Sequence, residues 1–178
     1  MSYWPDPVPN EVFKPQIHPS VYVAPLVYIG GRVEIGENSS IWPGCSLRGD
    51  INKIVIGHHT NIQDLSIAHV ENDRPCVIGN YVTVGHRVLL HACTVEDEVL
   101  VGMGSILMNG VVVGKGSVIG AGSLVTEGKI LEPGSLYLGS PARKARALTK
   151  EEIAKNKFWA EKYSALAKAH QKDRFLRG

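Results

Sequence analysis

The sequence predicts an all-β solenoid: a parallel β-helix of hexapeptide repeats, with one C-terminal α-helix packed alongside. Three observations carry this. First, an Ile, Val or Leu returns about every six residues, often followed by Gly, as in Ile35-Gly36, Ile56-Gly57, Ile78-Gly79, Val84-Gly85, Val101-Gly102, Val113-Gly114 and Ile119-Gly120. Second, Ile29, Ile41, Leu47, Ile62, Leu90, Leu107 and Val125 fill the remaining places of the same phase. A period of six fits neither an isolated helix nor a hairpin sheet, but it fits a triangular coil with one hexapeptide per face. Third, turn-tolerant residues recur between the apolar ones: Gly30-Gly31, Asn38, Pro43-Gly44, Asn61, Asn80, Gly116 and Gly122. Each is expected to form a tight corner, often at positive φ.

The elements follow in order. Residues 1–19 read as an N-terminal arm, because Pro5, Pro7, Pro9, Pro15 and Pro19 interrupt both helix and central strand. Residues 20–142 read as the β-helix. Three hexapeptides make one coil, which implies about five or six rungs spaced about 4.8 Å apart. The phase breaks in three places. The repeat is stretched between Leu47 and Ile56, carries the insert His69 to Pro75 between Ile62 and Ile78, and is one residue short between Leu90 and Val101 if Val95 points inward. Loops that bulge from solenoid corners tend to carry function. Gly139-Ser140-Pro141-Ala142 ends the repeats, and residues 143–178 read as a helix and tail. Thr149-Lys150-Glu151-Glu152 has the form of a capping box. Trp159, Tyr163, Leu166 and His170 then share one helical face.

Bulk composition narrows the function. At 178 residues the chain suits a single domain with a real core. A formal charge of +2 implies no nucleic-acid partner, and no apolar run approaches the ~18 residues of a membrane span. Met1 to Pro19 lacks the basic-then-apolar pattern of a secretory signal. Cys45, Cys76 and Cys93 are odd in number and lack metal-site spacing, so they read as buried thiols in a reducing cytoplasm.

Of seven histidines, His18, His58, His59 and His170 read as solvated or locally bonded residues. His69, His86 and His91 differ, because each lies among apolar strand residues within one short stretch. His69 and His86 are 17 residues apart, close to one 18-residue coil, and are expected to stack on neighbouring rungs. His86 and His91 are five apart, nearly one face, so they project from different faces of the rod. Such a set meets at one ion only across a subunit interface, and a closed ring of three chains would build three sites. Three neutral imidazoles suit Zn²⁺, with Fe²⁺ or Co²⁺ as alternatives, and leave a coordination position open. Nearby, Arg48 and Asp50 share one side of a strand, as do Asn61 and Gln63, and both pairs face outward toward the same interface.

These residues resemble a known family. The runs Ile41-Trp42-Pro43, Leu47-Arg48-Gly49-Asp50, Thr60-Asn61-Ile62-Gln63-Asp64, His69-Val70, Val84-Gly85-His86, Leu90-His91-Ala92-Cys93 and Gly102-Met103-Gly104-Ser105 are similar to the γ-class carbonic anhydrases. The likeness covers about residues 10 to 170. It implies a left-handed β-helix homotrimer with a metal at each interface, His69 and His91 coming from one chain and His86 from its neighbour. By the same match, Gln63 orients water at the metal, Asn61 positions substrate, Arg48, Asp50 and Asp64 organise the interface, and Tyr163 lies near the metal. The implied reaction is reversible hydration of CO₂ to bicarbonate. Two departures imply slow turnover. Ile51 stands where the family archetype has a glutamate, and Val70 to Pro75 replaces a long acidic loop, leaving Glu71 or Asp73 as its carboxylates. Alternatives are a metal-dependent acyl thioesterase or a non-catalytic metal-binding trimer, with acyl transfer ranked lower because it needs no clustered histidines.

Overall fold

A computed structural model describes residues 13–172. The sequence pattern and the observed architecture agree: the chain is a parallel β-solenoid of about seven turns with a single C-terminal helix. The rung count exceeds the expected five or six, since one face alone stacks seven parallel strands between Tyr22 and Gly139, and the coil also begins before residue 20. Strand Gln16–Ile17, within the segment read as the arm, already pairs in parallel with Glu34 and Ile35. Pro5, Pro7 and Pro9 of that arm lie outside the described residues, as do residues 173–178 of the tail.

Three faces surround one core. The first face stacks Tyr22–Val23, Ser40–Ile41, Asn61–Ile62, Thr83–Val84, Leu100–Val101, Val118–Ile119 and Ser135–Gly139 in parallel. Strand Ala142–Ala147 folds back antiparallel to close its end. The second face carries Ile67–His69, Leu89–His91, Ile106–Leu107 and Leu124–Val125. The third carries Cys76–Ile78, Thr94–Val95, Val112–Val113 and Ile130–Leu131. Two long strands, Tyr28–Ile35 and Ser46–Ile56, run round the corner between the second and third faces. That corner-turning strand is the stretched repeat between Leu47 and Ile56. Val95 is fully buried and pairs with Ile78 and Val113, so the short repeat is real.

Inward positions stack like with like. Ile41, Ile62, Val84, Val101 and Ile119 form one buried column, and Leu47, Ala68, Leu90, Leu107 and Val125 another. Cys45, Cys76 and Cys93 are buried free thiols. Most expected corners hold, with positive φ at Gly31, Asn38, Gly44, Gly116 and Gly122. Asn61 does not. It lies in strand Asn61–Ile62 and is buried.

Helix α1 (Lys150–Gln171) starts at the expected capping box. The Thr149 side chain accepts from the Glu152 amide, and the Glu152 carboxylate accepts from the Thr149 amide. The helix packs back along the first face, against strands Tyr22–Val23 to Thr83–Val84. Its buried stripe is Asn156, Ala160, Ser164 and Ala167. The aromatic face expected from Trp159, Tyr163, Leu166 and His170 is therefore rotated by about one position, and Trp159 is 40% exposed. A helix pressed closely against a flat sheet needs small residues at the contact line. The larger Tyr163 and Leu166 flank that line and pack with Tyr22 and Trp42.

Candidate metal centre

The second face places the sequence-predicted residues along two opposite edges. His69 and His91 end their strands at one edge and are register partners on adjacent rungs. His86 lies in the turn that enters the same face, at the other edge. The expected stacking of His69 on His86 is thus replaced by His69 on His91. The loop Glu71 to Pro75 adds length to that coil without adding rise, so the partner falls 22 residues on rather than about 18.

At the paired edge, His69 Nδ1 and His91 Nε2 are 3.1 Å apart. His69 donates its Nε2 proton to Asp50 Oδ1 at 3.0 Å, because a carboxylate only accepts. The other Asp50 oxygen pairs with Arg48. Burial works to raise the Asp50 carboxyl, but the hydrogen bonds from His69 and Arg48 outweigh it and hold it below the usual range. Gly49 lets the chain place both side chains here. A Cβ on it would lie 2.6 Å from the Arg32 carbonyl oxygen. His91 Nδ1 lies 2.6 Å from Asn109 Oδ1, and Asn109 donates to Glu71 at 2.9 Å.

At the opposite edge, His86 donates from Nδ1 to Asp64 Oδ2 at 2.9 Å. Gln63 donates to Asn61 Oδ1 at 3.0 Å, and Asn61 donates to Thr83 Oγ1 at 3.0 Å. Asn61 and Gln63 are buried on the first face, where the helix lies. The buried thiol of Cys45 donates to the Gln63 carbonyl oxygen at 3.0 Å, and burial pushes its pKa up to about 11. Tyr163 packs edge-on against Trp42, with ring centroids 5.7 Å apart. Burial, and then the nearby Asp64 charge, raise its phenol above the ordinary value. Within one chain, then, Arg48 and Asp50 lie on one edge, while Asn61, Gln63, Asp64 and Tyr163 lie on the other.

Between the edges runs an outward apolar ladder: Ile67, Leu89, Ile106 and Leu124 in register. Ile67 and Ile106 are 44% and 41% exposed. A hollow of about 530 Å³ opens beside His86, lined by Arg87, Met103, Gly104 and Gly122.

The donor chemistry of the paired edge fits a cation. His69 Nδ1 and His91 Nε2 are the nitrogens left without a proton once Asp50 and Asn109 have taken the others. Two lone pairs facing each other repel unless a proton or a cation joins them. Two nitrogens bound to one tetrahedral ion at about 2.0–2.1 Å lie about 3.3 Å apart. Among the described residues, no group of three or more His, Cys, Asp or Glu side chains comes together to hold an ion.

Sequence reading missed Asn109 and the placement of Glu71. Asn109 sits 18 residues after His91, one ordinary coil on, and that spacing is the signal that finds it.

The fold and its histidine-edged face define a hexapeptide-repeat solenoid protein. Residues 14–49 and 92–127 match the family described as bacterial transferase hexapeptide (six repeats). Among curated proteins, the chain is 48% identical over 151 residues to a probable carbonic anhydrase of Methanocaldococcus jannaschii, covering 85% of this chain and 95% of that one. It is 46% identical over 162 residues to γ carbonic anhydrase 1, mitochondrial, of Arabidopsis thaliana, covering 88% of this chain. It spans only 59% and 58% of the length of two such plant relatives. A crystal structure titled a putative acetyltransferase from Bacillus cereus superposes with a TM-score of 0.88 at 39% identity, covering 90% of this chain and 93% of that one. The chain belongs to the γ-carbonic-anhydrase-like family of hexapeptide-repeat proteins.

Proposed function

We propose that the chain reversibly hydrates CO₂ to bicarbonate at metal sites shared between copies of itself in a homotrimer. The observation that carries this is the second face, with two histidines on one edge, one on the other, and an apolar ladder between. The five residues from His86 to His91 span about 16 Å of extended chain, too far for one ion. Three such faces closed around an axis bring each paired edge against a neighbour's single histidine. The open apolar ladder supports that closure, because exposed apolar rows on a sheet mark association surfaces.

His69, His91 and the neighbouring copy's His86 would hold the ion, Zn²⁺ first and Fe²⁺ or Co²⁺ as alternatives. When bound, such an ion supplies a Lewis acid that makes water nucleophilic at neutral pH. The chain's own residues do the rest. Asp50 and Asp64 fix the ring orientation of His69 and His86 through their second nitrogens. Arg48 holds Asp50 in place. The Asn61–Gln63 amide pair, locked by Thr83, offers oriented donors and acceptors to the oxygens of a small substrate and to water. Tyr163 closes that side with its helix. Of the loop carboxylates, Glu71 turns to Asn109, while Asp73 turns to Arg74.

The test is stopped-flow CO₂ hydration with metal counted per chain in the same sample. Hydration that tracks about one ion per chain is the expected result. The likeness to a chain titled putative acetyltransferase favours one competitor, acyl chemistry on a thioester. Acyl-CoA turnover that exceeds CO₂ hydration would replace this proposal with that one. Full metal occupancy with neither activity would leave a metal-binding trimer. The reducing cytoplasm expected from the cysteines is the proposed setting. Among the described residues, no helix is long and apolar enough to cross a membrane.

A further inference from the structure

We propose that Asn109 is a positioning residue for His91, and that the short loop after His69 serves to fix its amide through Glu71. This rests on the metal reading above.

The argument starts from which groups can donate. Glu71 Oε1 lies 2.9 Å from Asn109 Nδ2, and a carboxylate only accepts. The amide must therefore present its NH₂ to Glu71 and its oxygen to His91. An amide oxygen also only accepts, so His91 must carry its proton on Nδ1, 2.6 Å away. The neutral ring is left with its lone pair on Nε2, the nitrogen that faces His69. One carboxylate thus sets one amide, and the amide sets one tautomer. Without that chain, both the Asn flip and the imidazole tautomer are free to change.

Glu71 is itself held from both sides. Asn52 Nδ2 donates to the Glu71 and Asn72 carbonyl oxygens at 3.1 and 3.0 Å. Glu71 and Arg74 exchange backbone bonds at 3.0 and 3.3 Å across the loop. Arg74 pairs with Glu127 on a lower rung at 3.7 Å. Asn109 is fixed in turn, since its carbonyl oxygen accepts from the Gly128 amide at 2.9 Å. The loop is thereby pinned between a rung above and rungs below, with its one inward carboxylate on the amide. A ligand whose second nitrogen is fixed needs no reorientation on binding, and loss of such a partner costs about 10–100-fold in metal affinity.

The test uses the full-length protein and four variants: Asn109→Ala, Asn109→Asp, Glu71→Gln, and Asn109→Asp combined with Glu71→Gln. Two quantities are read. One is Co²⁺ affinity by competition with a coloured chelator. The other is the His91 tautomer in metal-free protein, from long-range ¹H–¹⁵N spectra at about pH 8.5, well above the ordinary imidazole pKa of about 6.5. Wild type should show the Nδ1–H form. Asn109→Ala should lose it, with cobalt affinity falling about 10–100-fold and thermal stability nearly unchanged. Asn109→Asp sets two carboxylates against each other and should bind worse than wild type. Adding Glu71→Gln restores a donor facing that acceptor and should recover both tautomer and affinity. A purely structural role gives no reason for that rescue. The inference is overturned if Asn109→Ala leaves the tautomer unchanged, or if the double variant does no better than Asn109→Asp alone. If wild type binds no cobalt, the metal reading fails, and the tautomer measurement still decides the role of Asn109.

Discussion

Replacing Ile106 by Asp tests the assembly on which the proposed site depends. Ile106 stands mid-ladder, in register with Leu89 and Leu124, and is 41% exposed in the single chain. Fully burying an Ile side chain is worth about 1.5–3 kcal/mol, so covering this remaining fraction is worth about 1 kcal/mol. Ile67 and Ile106 together give each face about 2 kcal/mol before polar contacts, and the half-buried Leu89 and Leu124 add less each. A carboxylate in that closed face loses the apolar term and adds a desolvation cost of several kcal/mol per ion. Around a threefold axis it also meets two like charges. The expected result is a monomer with an intact solenoid. Light scattering after size exclusion should give three times the 19.3 kDa chain mass for wild type and the chain mass for the variant, with unchanged far-UV circular dichroism. Val112→Asp, on the third face, is the control and should leave the trimer intact. A variant at Ile106 that keeps the trimeric mass, or dissociation by Val112→Asp instead, would refute the assignment of this face to the axis.

Four further outcomes follow from the same geometry. Leu107→Ala empties a fully buried core position and should cost about 2–5 kcal/mol in chemical denaturation; a loss below about 1 kcal/mol would mean the column is not close-packed. Asn156 donates to the Glu98, Gly116 and Ser117 carbonyl oxygens at 3.0, 3.2 and 3.4 Å, so Asn156→Ala should cost about 1–3 kcal/mol. Hydrogen exchange should then rise across Lys150–Gln171 and not in the strands. Burial, and then the adjacent His58, lower the His59 pKa. The unfolded chain therefore takes up that proton first, and the stability His59 contributes is complete above about pH 6.5 and lost as pH falls through its lowered folded value. His59→Asn keeps a residue that tolerates the local φ of 52° and should flatten the fall in melting temperature between about pH 7 and pH 5; an unchanged profile would remove His59 from the account. Finally, a chelator should shift the trimer toward monomer, because an ion bound only by the assembled state stabilises that state by mass action. Equal dissociation constants with and without chelator would place the ligands within one chain.

The fold was legible because the solenoid repeats its own packing problem. Nearly every rung puts one inward branched residue on each face, so Ile41, Ile62, Val84, Val101 and Ile119 announce a column without any long-range information. The capping box at Thr149 was equally local. The helix contact line was not. Large apolar residues suggested the aromatic side, whereas contact with a flat sheet selected Ala160, Ser164 and Ala167. That choice depends on the distance between helix and sheet, which no helical periodicity contains.

The histidines were legible as a set and not as a geometry, for a related reason. Position along a solenoid is fixed by counting coils, and each looped corner changes the count. Ile41 and Ile62 are register partners 21 residues apart, Ile62 and Val84 22, and Val101 and Ile119 18. A uniform count put His86 over His69, while the looped coil puts His91 there. The same correction finds the partners that hold each ring: Asp50 lies 19 residues before His69, Asp64 22 before His86, and Asn109 18 after His91. Each sits on the rung next to its histidine, at the same edge. The edges of one face therefore carry two separate clusters, each assembled vertically by the register of the coil. In the proposed trimer only lateral contact with another copy joins them, so a change in ladder residues such as Ile67 or Ile106 should act on the proposed chemistry as directly as a change in the histidines.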